Sequence, residues 1–159
     1  LAQHLSKKLS IPHFELDHLY WLPGWKKRPL EERIEIATKK LSTTPQWIVC
    51  GNHSHLKNII WKEVDTAIWL DYSIWRCFFR AMKRAIHLIY TKKEICGGNK
   101  ESISHLLFSR KSILQYLFKK HKILHHRYTR MMIAPEYNHV RFIHLKSPQD
   151  TKNFLQADR

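Results

Sequence analysis

Residues 64–84 read Val-Asp-Thr-Ala-Ile-Trp-Leu-Asp-Tyr-Ser-Ile-Trp-Arg-Cys-Phe-Phe-Arg-Ala-Met-Lys-Arg. The run from Thr66 to Leu70 is short and apolar and closes on Asp71, which predicts a strand buried on both faces within a parallel sheet. After Tyr72 and Ser73 the period changes. Ile74, Cys77, Phe78, Ala81, Ala85 and Leu88 recur at three- and four-residue steps, which predicts a helix. Arg76, Arg80 and Arg84 are spaced four apart and line one face of it. Strand, tight turn and arginine-bearing helix make half of a βαβ unit. The arginine row is either a solvated face or a grip on phosphate, for which the planar guanidinium fork is suited.

The totals bound the rest. The chain has 159 residues, enough for one domain with a sizeable core, and 43% of them are hydrophobic. Lys and Arg number 28 against 13 Asp and Glu, a net charge of +15 that favours polyanionic partners such as nucleotides, nucleic acid or acidic surfaces. Cys50, Cys77 and Cys96 show no paired spacing, which points to a reduced, cytoplasmic compartment rather than a disulfide framework. No apolar run reaches the roughly 18 residues of a membrane span. The opening residues are too polar for a signal peptide. There is no initiator Met, and Leu1, Leu5 and Leu9 already stand in helical register with no cap before them. The expectation is a chain that starts inside a helix, with its natural beginning elsewhere.

Along the chain, Leu1 to Leu9 predicts an amphipathic helix and Ser10 to Asp17 a strand closed by Asp17. His18 to Pro29 predicts an aromatic loop, Leu30 to Leu41 a helix with acids early and lysines late, and Gln46 to Cys50 a short buried strand ending in Gly51-Asn52. His53 to Glu63 reads as a polar connection with one helical turn. Tyr90 to Ser104 reads as a mobile, lysine-rich loop around Gly97-Gly98. Ile103 to Arg130 predicts one long basic helix, with apolar positions that include Leu106, Leu107 and Leu117, and Val140 to Leu145 a strand. Ser147-Pro148-Gln149-Asp150 predicts a helix start, with Ser as cap, Pro first and Asp third. Strands alternating with helices argue for a parallel α/β sheet. Asp17, Cys50-Gly51-Asn52 and Asp71 then fall at carboxyl ends of strands, the edge where open α/β sheets bind ligands.

With these residues placed, the chain resembles the adenylate-kinase-like P-loop proteins of the DNA topology modulation (FlaR-type) family. The matching stretches are Leu16 to Trp21 with Pro23-Gly24-Trp25, Trp47 to Asn52, Asp65 to Asp71, the arginines of the following helix, and Arg141 to Leu155. The resemblance implies a three-layer P-loop nucleoside- or nucleotide-kinase-like fold with a five-stranded parallel sheet and a nucleotide at its carboxyl edge. It implies one domain over residues 1–159, with a lid at about residues 91–104, and a phosphotransferase using ATP and Mg on a small phosphate acceptor. It also implies a phosphate loop just before Leu1, on a strand in the middle of the sheet. Neither that strand nor any Gly-x-x-x-x-Gly-Lys-Ser/Thr occurs in these residues, so weak ATP binding and a partly folded, aggregation-prone chain are expected. Cys50 stands where related proteins usually carry an acid, and a neutral thiol positions hydrated magnesium poorly.

The candidate residues follow. Asp17 could orient a substrate hydroxyl or a magnesium-bound water, or be a solvated strand-end carboxylate. Trp21 and Trp25 could stack on a flat ligand or anchor their loop. Gly51 and Asn52 could let backbone approach an acceptor, or simply make a turn. Arg80 and Arg84 resemble lid-base arginines that neutralise transferring phosphate, with Arg76 and Arg127 as further phosphate contacts. His121 and His125 are four apart on a helix but have no third ligand by spacing, so no metal site is expected. Two rival functions stand beside the kinase-like one. A basic nucleic-acid-binding protein would use Lys111, Lys119, Lys120, Lys122, Arg127 and Arg130, and a truncated remnant would have no activity.

Overall fold

The structure, a computed structural model, describes residues 1–102 and 113–157. The chain is mixed α/β and divides into two compact units, residues 1–63 with 94–99, and residues 64–93 with 100–159. Its strands form four two-stranded sheets among the described residues, two of them parallel pairs.

In the first unit, α1 (Ala2–Leu9) buries Leu5 and stops at Ser10, whose backbone is left-handed at φ 56° and whose N–H bonds back to the Ser6 carbonyl. β1 (His13–Glu15) pairs in parallel with β4 (Ile48–Cys50), His13 opposite Ile48 and Glu15 opposite Cys50. Between them lie α2 (Leu16–Tyr20), an antiparallel pair β2 (Trp21–Leu22) and β3 (Lys26–Lys27), and α3 (Leu30–Ser42). α3 carries Glu31 and Glu32 in its first turn and Lys39 and Lys40 in its last, as the helix dipole favours. Leu16, Leu19, Ala37 and Leu56 form the core, with Ile36, Val49, Ile59 and Ile60 packed on it. Ile59 and Ile60 belong to α4 (Lys57–Glu63).

In the second unit, β5 (Thr66–Leu70) pairs in parallel with β8 (Arg141–Leu145) over five positions, from Thr66 opposite Arg141 to Leu70 opposite Leu145. α5 (Ile74–Thr91) follows β5, α6 (Ile113–Met131) precedes β8, and α7 (Pro148–Ala157) follows it. The start of α7 is a reciprocal cap. The Asp150 N–H donates to Ser147 Oγ at 3.1 Å, and the Ser147 N–H donates to the Asp150 carboxylate at 2.9 Å. Those bonds hold the Asp150 carboxyl below the usual range, the Ser147 side chain first among them.

β6 (Glu94–Ile95) and β7 (Asn99–Lys100) form the remaining pair, around a single turn at Cys96–Gly98.

Several expectations change. Asp17 does not close β1, which ends at Glu15; it lies in the first turn of α2, because the buried Leu16 and Leu19 take helical spacing. The aromatic loop at 18–29 holds the end of α2 and a small antiparallel sheet. The polar connection at 53–63 becomes α4, since Leu56, Ile59 and Ile60 repeat at helical spacing. Tyr90 and Thr91 end α5, and the middle of the expected mobile loop forms the β6–β7 pair. β5 is not buried on both faces: Leu70 is 44% exposed and Thr66 is exposed, as expected for a strand with one hydrogen-bonded neighbour. The five-stranded sheet is not present among the described residues. The first part of the long basic helix, with Leu106, Leu107 and Lys111, and the end of the lid segment lie outside the described residues.

Candidate functional site

The sequence-predicted residues fall into two groups, one in each unit. Asp17, Trp21, Trp25, Gly51 and Asn52 belong to the first unit; Arg76, Arg80, Arg84 and Arg127 belong to the second.

In the first unit, Asp17 is exposed and pairs with His53, Oδ1 to Nε2 at 2.9 Å. His53 is 15% exposed and stacks on the Tyr20 ring, so the carboxylate is tied to the turn that follows β4. Gly51 in that turn has φ 115°, which L side chains rarely adopt, and a Cβ there would stand 3.0 Å from Leu16 Cβ. The backbone at Gly51 therefore passes close over α2, and Asn52 is exposed beside it. Trp21 and Trp25 meet edge to face at 5.5 Å, each half-buried, and Tyr20 packs edge to face on Trp21. Trp25 sits at φ 57°, a strained conformation for a side-chain-bearing residue. Asn99 holds it there. The Trp25 N–H donates to Asn99 Oδ1 at 2.8 Å, while Asn99 Nδ2 donates to the carbonyls of Leu22 and Cys96. Asn99 is 4% exposed, and these bonds employ both ends of its amide.

Gly97 seals the same contact. It has φ 69°, and a Cβ on it would lie 2.6 Å from the Trp21 carbonyl oxygen. Gly97→Ala is expected to destabilise this unit by about 2 kcal/mol, from left-handed strain and overpacking together. A urea unfolding curve followed by tryptophan fluorescence checks it. An unchanged midpoint would mean that the turn does not close on the tryptophan pair.

Cys50 ends β4 with its Sγ 3.1 Å from His13 Nε2. Burial pushes the thiol up, and the charges of Glu15 and Asp17 push it further. His13, Glu15 and Cys50 bring one nitrogen, one carboxylate oxygen and one sulfur within 4.8 Å of one another. Their separation along the chain hid this grouping; the parallel register of β1 and β4 creates it.

In the second unit, Arg76, Arg80 and Arg84 are exposed along α5, and the Arg80 guanidinium lies over the Tyr72 ring at 5.6 Å. Arg127 is exposed on α6. The organised polar group here is one that sequence spacing missed. Asp71 follows β5, and its side chain is 13% exposed. It accepts bonds from His125 Nδ1 at 3.0 Å and from His144 Nε2 at 2.9 Å. His144 stacks flat on Trp69 at 4.1 Å, and His121 Nε2 donates to the Tyr72 carbonyl. Burial pushes the Asp71 carboxyl up, but the bonds from His125 and His144 and their charges outweigh it and leave it lowered. His121 and His125 thus tie α6 to the end of β5, with the His125 side chain still 53% exposed. The signal in the sequence was His144 breaking the apolar pattern of β8 opposite Trp69. No helix among the described residues is long and apolar enough to cross a membrane.

No protein-family model matches the chain. No solved structure matches it. Among curated proteins, the uncharacterized protein YqaC of Bacillus subtilis (strain 168) is 31% identical over 107 residues, a stretch that covers 63% of this chain and 56% of that relative.

Proposed function

We propose that this chain is an adenylate-kinase-like P-loop phosphotransferase scaffold whose phosphate loop is not among its 159 residues. One observation carries the reading. A five-stranded parallel sheet with its middle strand taken away leaves two parallel pairs, and the chain forms two parallel pairs, β1 with β4 and β5 with β8. Within its own unit, each pair carries polar residues at a strand's carboxyl end, Cys50-Gly51 at β4 and Asp71 after β5, the end at which open α/β sheets bind ligands. The exposed Arg76, Arg80 and Arg84 supply the positive charge that a transferring phosphoryl group needs, and Arg127 adds to it. Asp17, held by His53, orients the acceptor hydroxyl, while Trp21 and Trp25 hold its flat ring and Gly51 and Asn52 its edge. ATP and Mg would be held chiefly by the phosphate loop, so the residues present supply the acceptor side and the arginine side only.

The test is transfer of labelled γ-phosphate from ATP to a panel of nucleosides and nucleotides. It uses the chain extended at Leu1 by a β-strand and a Gly-x-x-x-x-Gly-Lys-Ser loop. Transfer to one acceptor class supports the proposal. A folded extended chain that transfers phosphate to none of them rejects it.

A further inference from the structure

We propose that His13, Glu15 and Cys50 form a site for one zinc-class divalent metal ion, with an open coordination position for water. Strand alternation puts His13 and Glu15 on one face of β1, and the parallel register sets Cys50 of β4 directly opposite Glu15. The three donor atoms lie within 4.8 Å of one another. At zinc–sulfur and zinc–nitrogen lengths of about 2.3 and 2.0 Å, tetrahedral coordination sets the two donors about 3.5 Å apart. His13 Nε2 and Cys50 Sγ stand 3.1 Å apart, so a small parting of the two side chains admits the ion.

The donor set selects the metal class. Imidazole, carboxylate and thiolate together suit zinc or cobalt, while the thiolate disfavours magnesium and calcium. The carboxylate is oriented from behind, as metal ligands commonly are. Gln3 Nε2 donates to Glu15 Oε1 at 3.3 Å, and His18 Nε2 lies 3.4 Å from Glu15 Oε2. A cation here also suits the local charge, because Glu15 and Asp17 both stand near the thiol. A groove of about 260 Å³ lined by His13, Phe14, Glu15, His18, Leu19 and Lys40 leaves two of the three donor residues reachable from solvent. Three protein ligands leave a fourth position open, the arrangement of metal sites that activate water or polarise a bound ligand. None of this depends on the phosphotransfer reading, and either can fail alone.

The experiment titrates Co(II) alone into the purified chain and records the absorption spectrum, then displaces the cobalt with Zn(II). The expected result is one cobalt per chain, with a thiolate-to-cobalt charge-transfer band in the near ultraviolet that zinc bleaches. Cys50→Ser removes the band, while Cys77→Ser and Cys96→Ser keep it. His13→Gln and Glu15→Gln weaken cobalt binding by at least about tenfold, the smallest loss expected when even an outer partner is removed. With twelve histidines in the chain, surface imidazoles can bind cobalt, but they give no thiolate band. Each variant is checked by circular dichroism, so that His13→Gln or Glu15→Gln decides the matter if Cys50→Ser does not fold. Absence of the band at stoichiometric cobalt leaves a plain thiol–imidazole hydrogen bond and overturns the site. So does a band that survives Cys50→Ser, or one that follows Cys77 or Cys96.

Discussion

Asp71→Ala is expected to destabilise the unit that contains β5 by about 3 kcal/mol. The carboxylate accepts bonds from two histidines on two different elements, His125 on α6 and His144 on β8. A hydrogen bond to a charged group contributes about 1.5–3 kcal/mol, and its loss here also strands two imidazole donors. Asp71→Asn should lose less, because its oxygen keeps one histidine while its amide faces the other. The pH dependence separates the two effects. Asp71 has its carboxyl lowered in the folded chain, so its contribution is complete above the ordinary aspartate range and is lost as pH falls through the lowered value. The wild-type chain should therefore lose stability on acidification more steeply than Asp71→Asn. Urea midpoints at several acid pH values measure this. Parallel curves for the two proteins would show that the clamp carries no stability.

Mg-ATP is expected to bind the chain, as its 159 residues stand, too weakly to measure at micromolar protein. A phosphate loop holds the β- and γ-phosphates with backbone amides and a lysine, and the metal with a hydroxyl. Losing about four such charge-assisted bonds at roughly 2 kcal/mol each removes about 8 kcal/mol. That equals the whole free energy of a micromolar complex, about 8.2 kcal/mol. The exposed arginines of α5 cannot replace it, because each would meet ATP as a solvated charge on a helix surface. What attraction they give should fade with added salt. Calorimetric titration at physiological salt measures it, and a saturable micromolar isotherm would show that the chain binds Mg-ATP without a phosphate loop.

The sequence carried different parts of this molecule unequally. The strand at 66–70, the helix from Ile74 and the cap of α7 were legible because each depends on neighbours in sequence: a run, a period and a four-residue box. α4 was within reach, since Leu56, Ile59 and Ile60 repeat at helical spacing, but the polar residues around them masked it. α2 was harder, because only five residues separate β1 from the Trp21 strand and no cap marks the start. The contacts that organise both candidate regions were not legible. His13 meets Cys50 only through strand register, Asn99 meets Trp25 across 74 positions, and Asp71 gathers His125 and His144 from elements far along the chain. Such pairs have no local period, so composition and spacing do not show them. Arg76, Arg80 and Arg84 share one exposed stretch of α5, since four-residue spacing fixes a face without any tertiary contact.

The most direct measurement compares Mg-ATP binding by two proteins at physiological salt: this chain, and the same chain carrying a β-strand and a Gly-x-x-x-x-Gly-Lys-Ser loop joined at Leu1. If the chain is a kinase-like scaffold, the extended protein binds in the micromolar range and the chain alone does not. Arg80→Ala and Arg84→Ala in the extended protein then weaken the complex. A cooperatively folded extended protein that binds Mg-ATP no better than the chain alone would contradict the kinase-like reading.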